Sequence, residues 1–151
     1  MLRSDLKDAL GIAMKGKDPR SVSTIRLILA ALKDRDIAAR SKSNMDGISE
    51  AEILTLLQAM IKQRRESAEL YEKGGRPELA QQEIEEIGVI HRFMPAQMDE
   101  DEMRAAIAQA VTDLGATSLK DMGRIMAALR ERHAGRMDFA KVGALVKAQF
   151  G

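Results

Sequence analysis

Along almost the whole chain of 151 residues, apolar side chains recur three and four positions apart, and this spacing constrains the fold more than any other feature. An α-helix turns once every 3.6 residues, so such spacing lines one face of a helix with apolar groups. Leu2, Leu6, Leu10 and Ala13 form a first stripe, and Val22, Ile25, Leu29 and Leu32 a second. Ile53, Leu57, Met60 and Ile61 form a third, and Leu79, Ile84, Ile87 and Ile90 a fourth. Local signals bound these stripes. Ser49 and Glu52 stand at capping-box spacing, where each side chain satisfies the other's free backbone N–H. Gly74–Gly75 suits a left-handed helix stop, and Pro77 suits the first turn of the next helix.

The stretch "RFMPAQMDEDEM" reads as a boundary. Pro95 lacks an N–H and disfavours helix at Met94. Asp99 then caps a helix whose first turn is acidic, matching the positive end of its dipole. Three short stripes follow. The first is Met103, Ile107, Ala110, Val111 and Leu114, stopped at Gly115. Leu119, Met122, Ile125, Met126 and Leu129 make the second, and Phe139, Val142, Leu145 and Val146, capped at Asp138, the third. The expectation is an all-α protein in two parts: a long-helix region over residues 1–94 and a three-helix bundle over residues 95–151. Gly123, at the edge of the second stripe, is expected to admit a close neighbouring helix.

Composition narrows the function. There is no Cys, hence no disulfide framework, thiolate metal site or Cys nucleophile. No Trp, one Tyr and three Phe leave no aromatic platform for stacked bases. No apolar run reaches the ~20 residues of a membrane span. The N-terminal stretch is amphipathic, but Asp5 and Asp8 argue against an acid-poor transit peptide, so a soluble cytoplasmic protein is expected.

Neither a phosphate-cradling glycine loop nor a nucleophile elbow is present. His91 follows Glu83, Glu85 and Glu86, yet the position for a Glu-x-x-His pair is Gly88, so no metal or other cofactor is assigned. His133 stands near a helix C-terminus, where a cation is favourable. Arg26 reads as a snorkelling side chain. Lys62, Arg64 and Arg65 read as a solvated face paired with Glu66 and Glu69.

Charge is uneven: residues 1–45 carry a net +5, residues 46–102 a net −8 and residues 103–151 a net +4. Lys120, Arg124, Arg130, Arg132, Arg136 and Lys141 concentrate on two predicted helices and their turn. Clustered cations of this kind contact a phosphate backbone, with shape rather than base edges supplying selectivity. These six are the candidate nucleic-acid-binding residues.

Three blocks, "STIRLILAALKDRDI", "IKQRRESAELYEKGGRPELAQQEIEEIGVIHRFMPAQM" and "GATSLKDMGRIMAAL", resemble the GatB/YqeY family of small helical proteins. The family's C-terminal part is similar to the tail domain of the B subunit of the tRNA-dependent amidotransferase, a tail that contacts tRNA while the chemistry lies elsewhere. Phe93–Met94–Pro95 replaces the more usual Tyr–Leu–Pro, and Phe139 follows Asp138 where a glycine is common. The resemblance implies an accessory module that binds tRNA, an amidotransferase or another translation protein. It also carries a family label, carbon–nitrogen ligase with glutamine as amido donor. No catalytic constellation for that chemistry is visible in this chain. A third reading is a protein adaptor acting through the helical surface of residues 50–90.

Overall fold

The computed structural model describes residues 1–150, and all regular structure among them is helical. The helices are α1 (Leu2–Lys15), α2 (Pro19–Arg40), α3 (Glu50–Lys73), α4 (Pro77–His91), α5 (Glu100–Leu114), α6 (Met122–Arg132) and α7 (Phe139–Phe150), with a 3-10 turn at Leu119–Asp121. Backbone contacts divide them into two compact units, Met1–Met94 and Pro95–Gly151.

In the N-terminal unit α3 and α4 pack as an antiparallel pair, with α2 against α4 and α1 against α2. Ser49 and Glu52 close the capping box at the start of α3, and Gly75, at φ +73°, makes the left-handed stop after it. Leu6, Ile25, Ile28, Ile53, Leu57 and Ile90 are fully buried and define the core. Burying one such side chain contributes about 1.5–3 kcal/mol relative to leaving it exposed. Asp18 caps α2, its carboxylate accepting from both the backbone N–H and the hydroxyl of Ser21. Arg92, just beyond α4, donates to the same hydroxyl at 3.0 Å and ties the end of α4 to the start of α2.

The stripe expected on α4 is rotated in the structure. Ile84 is exposed, whereas Glu83 and Glu86 are half-buried. The cause is Arg64 on α3, which also does not lie on a solvated face. Its side chain is 12 % exposed, and its guanidinium donates to Glu86 at 3.0 Å and to its own helix's Met60 carbonyl. A charge held at that depth needs a carboxylate, so the acidic positions of α4 turn inward. Glu86 also pairs with Arg20 of α2 at 3.7 Å. Burial, with Glu86 beside it, pushes the Glu83 carboxyl above its usual range. Arg26 is exposed, as a snorkelling side chain would be.

In the C-terminal unit, Met103, Ile107, Ala110, Ile125, Met126, Leu129, Val142 and Val146 bury together with Met137 from the loop before α7. Asp99 caps α5 by accepting from the Glu102 N–H, and Gly115 ends it at φ +63°. Residues 97–98 are pinned to the loop before α7: Gln97 donates to the Gly135 carbonyl at 2.7 Å, and the Met98 N–H to Arg136. Two expectations fail here. Leu119 stands half-exposed in the 3-10 turn, because the α-helical period begins only at Met122. Gly123 lies in the first turn of α6, and a Cβ added there meets nothing within 4 Å among the described residues. No helix approaches closely at that point. Gly123→Ala is therefore expected to stabilise the unit by about 0.5–1 kcal/mol through helix propensity alone. Urea denaturation reads this, and an unchanged or lower midpoint would mean that the glycine is required.

Candidate nucleic-acid interface

The six candidate cations all sit in the C-terminal unit, but the fold does not gather them on one surface. Successive helical residues are rotated by about 100°, so Arg130 and Arg132, two apart on α6, point to nearly opposite sides. Arg132 reaches α5, donating to Asp113 at 2.9 Å. Arg124 lies near the same end of α5, held by Asp121 at 3.0 Å and by the Leu114 carbonyl at 3.0 Å. Arg130 turns the other way, with its guanidinium 5.5 Å from the centroid of the Phe139 ring of α7.

Arg136 and Lys141 belong to a second group, at the acidic start of α5. Arg136 donates to the Ala96 carbonyl at 3.0 Å and lies 3.9 Å from Glu102. Lys141 lies 3.6 Å from Glu100, which Arg104 also holds at 2.6 Å. The hydrogen bond from Arg104, then the charge of Lys141, keep the Glu100 carboxyl below its usual range. Lys120, in the 3-10 turn, makes no side-chain ion pair among the described residues. Four of the six cations are thus opposed by a carboxylate. Counted from Pro95, where the compact unit begins, the acidic run Asp99–Glu102 is included and the unit's net charge is zero. The net +4 of residues 103–151 arises from starting the count after those acids.

His133 adds no charge to the set. Its pKa is lowered by burial and then by Arg136 and Arg132, so it is neutral at neutral pH. The favourable helix terminus is outweighed there by burial, with the two neighbouring guanidiniums adding to it. His91 is lowered as well, by burial and by Arg65. Among the described residues no three His, Asp or Glu side chains gather as a metal site. On the surface of residues 50–90 the exposed large apolar side chains are Leu70 and Ile84.

Signals for the long-range pairs were weak in the sequence. Asp113 and Arg132 are 19 positions apart, and only the packing of α6 on α5 brings them together.

The sequence pattern of the family described as "Yqey-like protein" matches residues 3–150. Among curated proteins the chain is similar to "Altered inheritance of mitochondria protein 41, mitochondrial" of Eremothecium gossypii, 38 % identical over 60 % of this chain and 48 % of that protein. It is similar also to the proteins of that name from Lachancea thermotolerans, 31 % identical over 74 % of this chain and 58 % of that protein, and Kluyveromyces lactis, 29 % identical over 72 % and 58 %. The chain spans about half the length of the curated relatives it matches. These names overturn the expectation of a cytoplasmic protein, since the relatives are named as mitochondrial. Asp5 and Asp8 belong to α1, whose amphipathic pattern buries Leu2 and Leu6 in the core. They describe a packed helix and carry no information about compartment.

Proposed function

The chain belongs to the Yqey-like protein family, and from that premise we propose that it is a tRNA-associated accessory module rather than an enzyme of amide transfer. Residues 95–151 act in this reading as a self-contained three-helix module of the kind found at the tail of the amidotransferase B subunit, meeting tRNA or the amidotransferase itself. The relatives' mitochondrial name supports a mitochondrial setting for that role.

The observation that supports RNA contact is the accessibility of the cations. Lys120 and Arg130 are exposed and have no carboxylate partner among the described residues, and Arg124 is 59 % exposed despite its pair with Asp121. An exposed ion pair is worth about 0–1 kcal/mol, so a phosphate can replace a carboxylate there at small cost. Because the cations surround the unit, contact is with separate phosphates and not with one dense patch.

This distribution sets the expected salt dependence. Each neutralised phosphate contributes about 0.7–0.9 to the slope of log affinity against log salt. With Lys120 and Arg130 as the main contacts, a slope near −2 is expected for a deacylated tRNA. Lys120→Gln with Arg130→Gln should flatten it by about one unit or more, while Arg136→Gln with Lys141→Gln changes it little. Gel-shift titrations at several salt concentrations measure both. Binding no tighter than that of a charge-matched helical protein, or a slope unmoved by the first pair, would refute RNA contact and favour an adaptor acting through residues 50–90.

A further inference from the structure

A groove with a cavity of about 410 Å³ lies between α1 and α2 in the N-terminal unit, apart from every residue used above for RNA. One wall is Arg3 and Lys7, a single turn of α1. The other is a stripe of α2 running from Leu29 to Arg40, eleven positions and about 16 Å at 1.5 Å per residue. Its floor is apolar: Leu32 is buried, Leu29 half-buried, and Ile37 is 51 % exposed. An isoleucine so exposed at the edge of a groove has no partner within this chain's core.

The rim is cationic. Lys7 and Lys33 are exposed and have no carboxylate partner among the described residues. Arg40 acts on Asp36 only through its field. The carboxylate in the groove, Asp36, is already occupied by Arg3 at 2.7 Å and by the Ile48 N–H at 2.9 Å. A fixed ion pair at the centre, three uncommitted cations around it and an apolar strip beneath are complementary to an occupant with carboxylates on both flanks and apolar side chains between them.

We propose that this groove docks an acidic amphipathic helix of a partner protein. Lys33 and Arg40 are two turns apart, about 10 Å along α2, and Lys7 faces them from α1. Cations spread over that length call for several anionic groups. A small amphipathic acid carries its charge at one end, and so leaves one end of the rim unmatched. A nucleic-acid backbone supplies the anions but nothing apolar to cover Leu29 and Ile37. A three-turn helix with Leu at i, i+3 and i+7 and Glu on either side supplies both, in the helix-in-groove manner.

The probe is a synthetic 14-residue peptide of that pattern, titrated by fluorescence anisotropy, with amide chemical shifts of the full chain followed in parallel. Binding in the micromolar range is expected, with shifts confined to residues of α1 and α2 around the groove. Lys33→Glu with Arg40→Glu should weaken it at least tenfold. A peptide with Lys in place of Glu should bind that variant better than it binds the wild type. Ile37→Asp should weaken the acidic peptide comparably. All three positions are exposed or at the rim, so these variants keep the fold, and circular dichroism checks it. Equal binding of poly-glutamate or of a single-stranded RNA would overturn the proposal by making the surface a general anion binder. Saturation by dodecanoate at similar concentration would overturn it in favour of a small ligand, and self-association that blocks the peptide in favour of a second copy.

Discussion

Gly47→Ala is expected to destabilise the N-terminal unit by about 2–5 kcal/mol, from left-handed strain of about 1–2 kcal/mol and overpacking of about 1–3 kcal/mol. Gly47 sits in the loop between α2 and α3 at φ +84°, a conformation that side-chain-bearing residues rarely adopt. A Cβ there would lie 2.5 Å from Asp36 Oδ1 and 2.8 Å from both Asp36 Cγ and Arg3 Nη2. Neither partner is free to withdraw. Arg3 donates to Asp36 at 2.7 Å and to the Ile48 carbonyl at 2.9 Å, while the Ile48 N–H donates to Asp36 at 2.9 Å. One methyl group would therefore strain the loop and part an ion pair that joins α1 and α2 to the loop before α3. Urea denaturation at neutral pH measures the loss.

The pH dependence gives a second signature. Burial works to raise the Asp36 carboxyl, but the hydrogen bonds from Arg3 and Ile48, with the charges of Arg3 and Arg40, outweigh it and hold it below its usual range. A depressed carboxylate contributes stability above the unfolded pKa of about 3.9, and that stability is lost as pH falls through the lower folded value. The wild type should lose this increment in acid, and the variant should have little of it to lose. The gap between the two should narrow below pH 4. A variant within 0.5 kcal/mol of wild type at neutral pH would show that the loop relaxes freely.

What the sequence made legible was local. The Ser49–Glu52 box, the Asp99 cap and the stops at Gly75 and Gly115 each depend on residues within a turn of one another, so spacing alone reveals them. Apolar periodicity gave the helices, but it failed where a buried charge set the rotation. Apolar spacing places Ile84 inside, yet Arg64, 20 positions earlier on α3, draws Glu86 inward and Ile84 stands exposed. The cationic set looks like a cluster in the sequence because its members are near one another along the chain. Two residues apart on a helix is almost the opposite side, and the acids that oppose those cations come from α5 and from Asp121. The groove of α1 and α2 had no sequence signature, since Lys7 and Lys33 meet there only through helix packing.

Leu129→Ala is expected to remove a large part of the stability of the C-terminal unit, about 2–5 kcal/mol, while leaving that of the N-terminal unit unchanged. Leu129 is fully buried on α6, in a core that also holds Ile107 and Ala110 of α5, and Val142 and Val146 of α7. Truncating a buried leucine costs about 2–5 kcal/mol, the upper end applying where the surroundings cannot collapse into the space. A unit of roughly 60 residues has about 3–9 kcal/mol to lose, at about 0.05–0.15 kcal/mol per residue, and a core this small has few side chains with which to fill the hole. The cores of the two units are built from separate sets of residues. The loss should therefore appear as an early partial transition in thermal denaturation, followed by a second near the wild-type temperature. Hydrogen exchange locates it: protection should fall at Ile107, Ile125 and Val142 and persist at Ile25, Ile53 and Leu57. A single transition in which both groups lose protection together would show that the units fold as one cooperative body, and would remove the basis for treating residues 95–151 as a separable binding module.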